Sequence, residues 1–326
     1  MEEQPRILTV EEKIQTVEVE KKETAAKNTN ALRTLTLCSG KGGVGKTLLT
    51  ASLARIFRRE GDSNILLVDL DMAVRGLTLL AFQHKSVVDA PPRSFADYLF
   101  SGPIAGQELL EDLRKIFDME TEERARSFYQ RLEKIFILPS SLENEQPEWG
   151  QPARLEFDQA VAKLRQIQTF VRQSLPVGYL IFDTQAGLGS LSLAAATISD
   201  VNLIVLEEDD ISWRTALTML VEILNLSKRQ QSKAKSYFLA NKASPGLLDV
   251  AKKLKPFSFL PPLLYDFWLQ RLFAQASSSV FDEEFEHTNF FRQIDSRLRP
   301  ELFAALGVPK FSAKTNSRLG TWWQKK

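Results

Sequence analysis

The chain has 326 residues, of which 44% are hydrophobic and 25% charged, with 42 Lys and Arg against 41 Asp and Glu for a formal net charge of +1. That is enough apolar material for one large α/β domain or two small ones, and the balanced charge supplies no global field toward nucleic acid or an anionic membrane, so such binding needs a local patch. The single cysteine, Cys38, excludes an internal disulfide framework and a multi-cysteine metal site and suits a reducing cytoplasm.

Taken from the start, "MEEQPRILTVEEKIQTVEVEKKETAAKNTN" is polar and mixed in charge, unlike a signal peptide. Residues 1–31 read as a disordered or docking tail, with a short strand or docking segment near Ile7 to Val10 as the ordered alternative. At Leu32 the pattern changes: "LRTLTLC" reads as a short apolar strand that runs into a glycine loop. "TLLTASLARIFRRE" has helical apolar spacing and stops at Gly61. "NILLVDLD" is an unbroken apolar run with acids at its end, as in a strand covered on both faces. His84 to Gln130 reads as inserted helices and loops without a motif. "KIFILP", "GYLIFD", "VNLIVLEE" and "SYFLANK" follow as strands, with helices over Phe157 to Gln173 and Ser212 to Leu226. The alternation predicts an α/β fold: a mostly parallel twisted sheet with helices on both faces. Phe290 to Leu298 reads as an amphipathic helix whose apolar stripe belongs to the core, and no apolar run reaches the roughly 18 residues of a membrane span.

Gly40-Lys41-Gly42-Gly43-Val44-Gly45-Lys46-Thr47 satisfies the phosphate-loop pattern G-x-x-x-x-G-K-[ST], with a strand before it and a helix after it. Glycines let backbone N–H groups turn inward around phosphate oxygens, and the helix that opens at Lys46, Thr47 and Leu48 offers its positive end to the anion. Lys46 reaches the terminal phosphates in such a loop, and the Thr47 hydroxyl ligates Mg²⁺. One lysine suffices for that task, so the second, Lys41, needs another explanation.

With Lys41 in place the loop reads K-G-G-x-G-K-[ST], which resembles the deviant Walker A motif of the MinD/ParA ATPase family. The resemblance implies a P-loop NTPase fold of the SIMIBI type, with ATP and Mg²⁺ as cofactors. It also implies that Lys41 crosses a homodimer interface to the nucleotide of the other subunit. Further matches follow in chain order. "LLVDLDMAVRGL" looks like the first switch, which implies that Asp71 orients the attacking water and Asp69 supports the metal shell. "YLIFDTQAGLG" is similar to the strand that ends in D-[ST]-x-A-G, implying Asp183 at the metal and Gly187 as the switch glycine. "YFLANKA" places Asn241 where the family contacts adenine, and "FLPPLLYDFWLQRLFAQ", with Pro262, looks like the segment that closes over the base. Asp183, Asp69, Asp71 and Thr47 thus form the implied metal set. The implied catalytic set is Lys41, Lys46 and Asp71. Gly40 to Leu48, Gly187, Asn241 and Pro262 form the implied nucleotide set.

Some residues depart from the family pattern. Gln185 stands where proline is common, and Arg75 to Leu77 lacks a frequent asparagine. "EEDDIS", Glu207 to Ser212, replaces a more neutral turn; it lies either beside the nucleotide or in a solvated loop, and the usual exposure of such residues favours the loop. The resemblance implies a cytoplasmic, partner-stimulated ATPase that dimerises with ATP and positions or partitions a cellular machine or DNA. The alternative is a nucleotide-binding scaffold with little or no hydrolysis. The expected division is 32–310 as the ATPase domain and 311–326 as a basic tail carrying Trp322 and Trp323. A membrane or nonspecific DNA surface would have to come from that tail or from the basic stretch Leu226 to Lys235. The helix-end reading of that stretch is the simpler one. Cys38 is expected to be buried and inert.

Overall fold

The computed structural model describes residues 32–59, 63–82, 93–100, 102–127, 129–141, 155–246, 257–269, 280–281 and 283–308. The N-terminal half runs β1 (Arg33–Cys38), α1 (Lys46–Arg59), β2 (Asn64–Asp69), α2 (Gly76–Phe82), α3 (Phe95–Phe100), α4 (Gly102–Asp118), α5 (Thr121–Arg126), β3 (Gln130–Leu132) and β4 (Ile135–Leu138). It continues with α6 (Phe157–Ser174), β5 (Val177–Asp183), α7 (Ser190–Ile198), β6 (Val201–Leu206), α8 (Asp210–Arg229) and β7 (Lys235–Ala240). The last described stretch holds a 3₁₀ turn (Glu283–His287), α9 (Asn289–Gln293), a π-helical turn (Ile294–Leu298) and α10 (Arg299–Ala305). The expected tails, Gly61 and "SRLGTWWQKK" lie outside the described residues.

The strands form one seven-stranded sheet in the order β3-β4-β2-β5-β1-β6-β7. All neighbours are parallel except β3, which runs antiparallel to β4 at the edge. Every residue of β2, β5 and β6 is buried, which explains why these runs are apolar apart from Asn64, Asn202 and the terminal Asp69 and Asp183: helices cover both faces and neither side meets water. Side chains that alternate along the strands sort into two layers. Leu35, Leu37, Ile65, Leu67, Ile181 and Leu203 face α1, α2 and the segment from Val280 to Val308. Leu66, Val68, Leu180 and Phe182 face α3, α4, α6 and α7, while Cys38, Ile204, Leu206 and Phe238 face α8. The expected helix over Phe290 to Leu298 is present, with a π-helical second half, and its Phe290, Phe291, Ile294 and Leu298 are buried in the first layer.

The segment read only as inserted helices and loops contains α3 to α5 and leads into β3. Phe95, Tyr98, Leu109 and Leu113 roof the second layer. α8 starts earlier than its apolar pattern suggests because Asp209 caps it, accepting a hydrogen bond from the Ser212 N–H at 2.9 Å. Lys228 and Arg229 occupy its last turn, where cations meet the negative helix end. No helix among the described residues is long and apolar enough to cross a membrane.

Candidate functional site

β1 lies between β5 and β6, so the loop that follows it crosses the middle of the sheet's carboxyl rim. Such rims are where open α/β sheets place ligands. On one side of β1, β5 ends in Asp183, which is in register with Asp69 at the end of β2. On the other side β6 runs out into Glu207-Glu208-Asp209, and β7 into Asn241-Lys242. Five parallel strands therefore deliver their terminal polar residues to one edge.

Close approach explains the glycines of the loop. A side chain at Gly40 would place its Cβ 2.4 Å from the Thr215 Cβ, so α8 rests directly on the loop backbone. Gly45 has φ +90°, a left-handed conformation, and a Cβ there would meet the Asn241 Nδ2 at 2.5 Å. That amide donates to the Val44 carbonyl at 2.8 Å. Asn241 is buried against the loop, and its amide nitrogen braces the loop backbone.

Lys46 opens α1 and is largely buried. Its ammonium donates to the Ser39 Oγ at 2.7 Å, and that hydroxyl donates to the Lys41 carbonyl at 2.7 Å. Burial lowers the Lys46 pKa, and the nearby Asp183 charge opposes that shift. The cation is thus desolvated and held by one neutral oxygen, which primes it for a phosphate. Asp183 is fully buried beneath the loop. Its Oδ1 accepts from the Thr50 hydroxyl at 3.2 Å, and the Thr47 hydroxyl also favours its charge. Its Oδ2 is buried without a hydrogen-bond partner among the described residues. Burial first, and Asp69 second, push the Asp183 pKa upward. An orphaned carboxylate oxygen beside a threonine hydroxyl and a phosphate cradle fits a hard divalent cation such as Mg²⁺.

Asp69 lies beside Asp183 at the neighbouring strand end and is tied to the turn that follows it. Its Oδ1 accepts from the Asp71 N–H at 3.0 Å, and its Oδ2 from the Thr78 N–H and hydroxyl at 2.8 and 2.7 Å. With both oxygens hydrogen-bonded to the turn and helix that follow β2, Asp69 shapes the switch. Asp71 sits in the turn thus formed; its Oδ1 accepts from Ala73 and Val74 N–H groups at 3.2 and 2.9 Å. Gly187 donates its N–H to the Ser39 carbonyl at 2.8 Å, which ties the segment after β5 to the loop. Pro262 is buried in the segment that returns along β7, where the Leu260 and Leu263 N–H groups bond to Phe238 and Ala240 carbonyls.

One open cleft of about 490 Å³ is lined by Gly42, Gly43, Gly45, Lys46, Thr47 and Leu48 from the loop and the start of α1. Asp71, Val74, Gly76, Leu80, Gln185 and Ala186 complete its lining. Cys38 lies behind the loop, where burial pushes its thiol up to about 12, well outside the range of a reactive cysteine.

The acidic turn, expected on composition to be solvated, grips the loop. Lys41 Nζ lies 3.3 Å from Glu207 Oε2 and 3.0 Å from Asp209 Oδ2. Lys242 donates to the other Glu207 oxygen at 2.6 Å and to the Gly43 carbonyl at 2.8 Å. These two acids, Lys242 and Ser39 were missing from the sequence-derived site. The signal available for the acids was their place at the end of the strand that follows the D-T-Q-A-G segment.

Fold and site together define a class, the α/β nucleotide-binding proteins built on a phosphate loop. The family profile described as CobQ/CobB/MinD/ParA nucleotide binding domain matches residues 35–200, just over half of the sequence, and the chain belongs to that family. It is 26% identical over 203 residues to a septum site-determining protein MinD of Buchnera aphidicola, covering 62% of this chain and 63% of that protein. Among solved structures, the ATP complex of a Cyanothece McdA variant superimposes with a TM-score of 0.58 at 17% identity, over 86% of this chain and 98% of the other. The MinD cell division protein of Aquifex aeolicus does so with a TM-score of 0.53 at 19% identity, over 82% and 97%. At these identities the structural likeness is one of fold.

Proposed function

We propose that this protein is an Mg²⁺-dependent ATPase that works as a dimerisation switch, with ATP held between two copies and hydrolysis separating them. The observation that carries the reading is the convergence of Lys46, Thr47 and Asp71 on one cleft, with a buried acid, Asp183, beneath its phosphate loop. The loop N–H groups and the start of α1 receive the phosphates, and Lys46 exchanges the Ser39 hydroxyl for a terminal phosphate oxygen. The Thr47 hydroxyl and, through water, Asp183 would hold Mg²⁺, which would supply positive charge to the phosphates. Asp71 orients the attacking water, and the apolar wall of Leu48, Val74 and Leu80 limits bulk water around it. Lys41 reaches the phosphates of the second subunit, adding charge in the manner of an arginine finger. Asn241 and Pro262 flank the base.

The output of such a switch is location: a cellular machine or DNA placed or partitioned in the cytoplasm, with turnover stimulated by a protein partner. The septum-placing relative supports that reading. A membrane or DNA surface would be met through local basic patches.

Phosphate release with and without Mg²⁺, measured beside light scattering, tests the switch. ATP should be split in an Mg²⁺-dependent way and should pair the protein. Lys46→Ala should lose nucleotide binding, and retained affinity in that variant would refute the loop assignment. ATP that is bound but never split, even by concentrated protein with partners present, would refute the enzyme.

A further inference from the structure

Lys41 is held on its own subunit. Both carboxylates that receive its ammonium belong to the turn between β6 and α8, at 3.3 Å for Glu207 and 3.0 Å for Asp209. Each acid also has a second engagement that fixes it in place. The other oxygen of Glu207 receives Lys242, which braces the Gly43 carbonyl. The Oδ1 of Asp209 caps α8 through the Ser212 N–H. Between them, Glu208 accepts from the Ser244 N–H and hydroxyl at 2.7 and 2.8 Å, fastening the turn to the end of β7. The carboxylates are therefore presented to Lys41 from a backbone anchored on both sides. The three side chains remain reachable, Lys41 being 38% exposed, Glu207 21% and Asp209 40%.

We propose that Glu207 and Asp209 are positioning residues that hold Lys41 in cis and yield it when the phosphates of a second subunit compete for it, so that they set the protein concentration at which ATP occupancy becomes pairing. The inference rests on the trans role of Lys41 proposed above. A phosphate oxygen and a carboxylate are alternative anions for one ammonium, so crossing the interface is an exchange of partners. The affinity for the second subunit falls by the fraction of molecules whose lysine is still held. A single exposed ion pair has a small effect. Here two carboxylates converge on one Nζ, and a symmetric pair exchanges two lysines, so the effect enters twice.

The test is the double variant Glu207→Gln/Asp209→Asn of the full chain. Glutamine keeps an acceptor for Lys242, and asparagine remains a good helix cap, so both charges go while the turn stays. With ATP and Mg²⁺, sedimentation equilibrium should show pairing at an about tenfold lower protein concentration than for the unaltered chain. Adding Lys41→Ala to the double variant should abolish the gain. An unchanged or raised threshold in the double variant overturns the inference while leaving the switch standing. So does a triple variant that pairs as readily as the double, since the acids would then act by repulsion between subunits and not through Lys41. If the unaltered chain and the double variant both bind ATP yet stay single at every concentration, the switch itself falls and the inference with it.

Discussion

Asp183 shows how much one side chain can reveal. Its orphaned Oδ2 is sealed beneath the loop, and burial together with Asp69 raises its pKa. An acid whose folded pKa lies above its unfolded value binds its proton more tightly when folded. That contribution to stability is present at low pH and is lost as pH rises through the folded pKa. The ligand-free protein should therefore melt at falling temperature as pH rises from the ordinary aspartate range toward neutrality. Asp183→Asn should flatten that slope, and Mg²⁺ with ATP should restore stability to the native chain at neutral pH; thermal melts across pH check all three. Asp71 makes a different prediction because it lines the cleft and is not buried below it. Asp71→Ala should still bind ATP and form the pair, with turnover reduced by about 10²- to 10⁴-fold, the usual reach of a positioned acid or base. Single-turnover phosphate release measures it.

At the scale of elements, α1 joins the site to the rest of the fold. It starts at Lys46 and is gripped near its far end by the last described segment. The buried Arg55 donates to Glu286 at 3.1 and 2.5 Å and to the Val280 carbonyl at 2.8 Å. Arg59 also pairs with Glu286 and lies over the Phe291 ring. Phe57 stacks on Tyr179 with centroids 4.5 Å apart and tilts against Phe303 at 5.3 Å, so one ring joins α1, β5 and α10. Phe57→Ala should cost about 3–5 kcal/mol, read from denaturant unfolding, because three elements lose a shared contact and none can collapse into the space alone. The sequence announces β2, β5 and β6 because burial on both sides makes their runs largely apolar, and α1 because its apolar residues recur at helical spacing. It does not announce β3, which has 3 residues and no room for a period. The start of α8 is obscured because its cap, Asp209, stands in an acidic run that reads as loop.

Across the whole molecule, what could be read in advance followed from spacing along the chain, and what could not depended on pairing across it. Gly40 to Thr47 and the acids at strand ends carry their chemistry in local pattern. The hold on Lys41 joins residues 166 and 168 positions apart, and nothing near Lys41 or near Glu207 marks either as the other's partner. The commitment of Asp69 to Thr78 is likewise invisible until the turn after β2 is seen. The same separation governs how the site is assembled. β1 has β5 and β6 as its neighbours, and hydrogen bonds to Thr184, just after β5, and Asp200, just before β6, span 147 and 166 positions. Contacts of that reach form late and slowly. A chain ending before Val201 should therefore hold no triphosphate, a loss that a fluorescent nucleotide titration would register. During synthesis the loop leaves the ribosome well before β5 and β6, so a nascent chain should gain its hold on ATP only once those strands have followed.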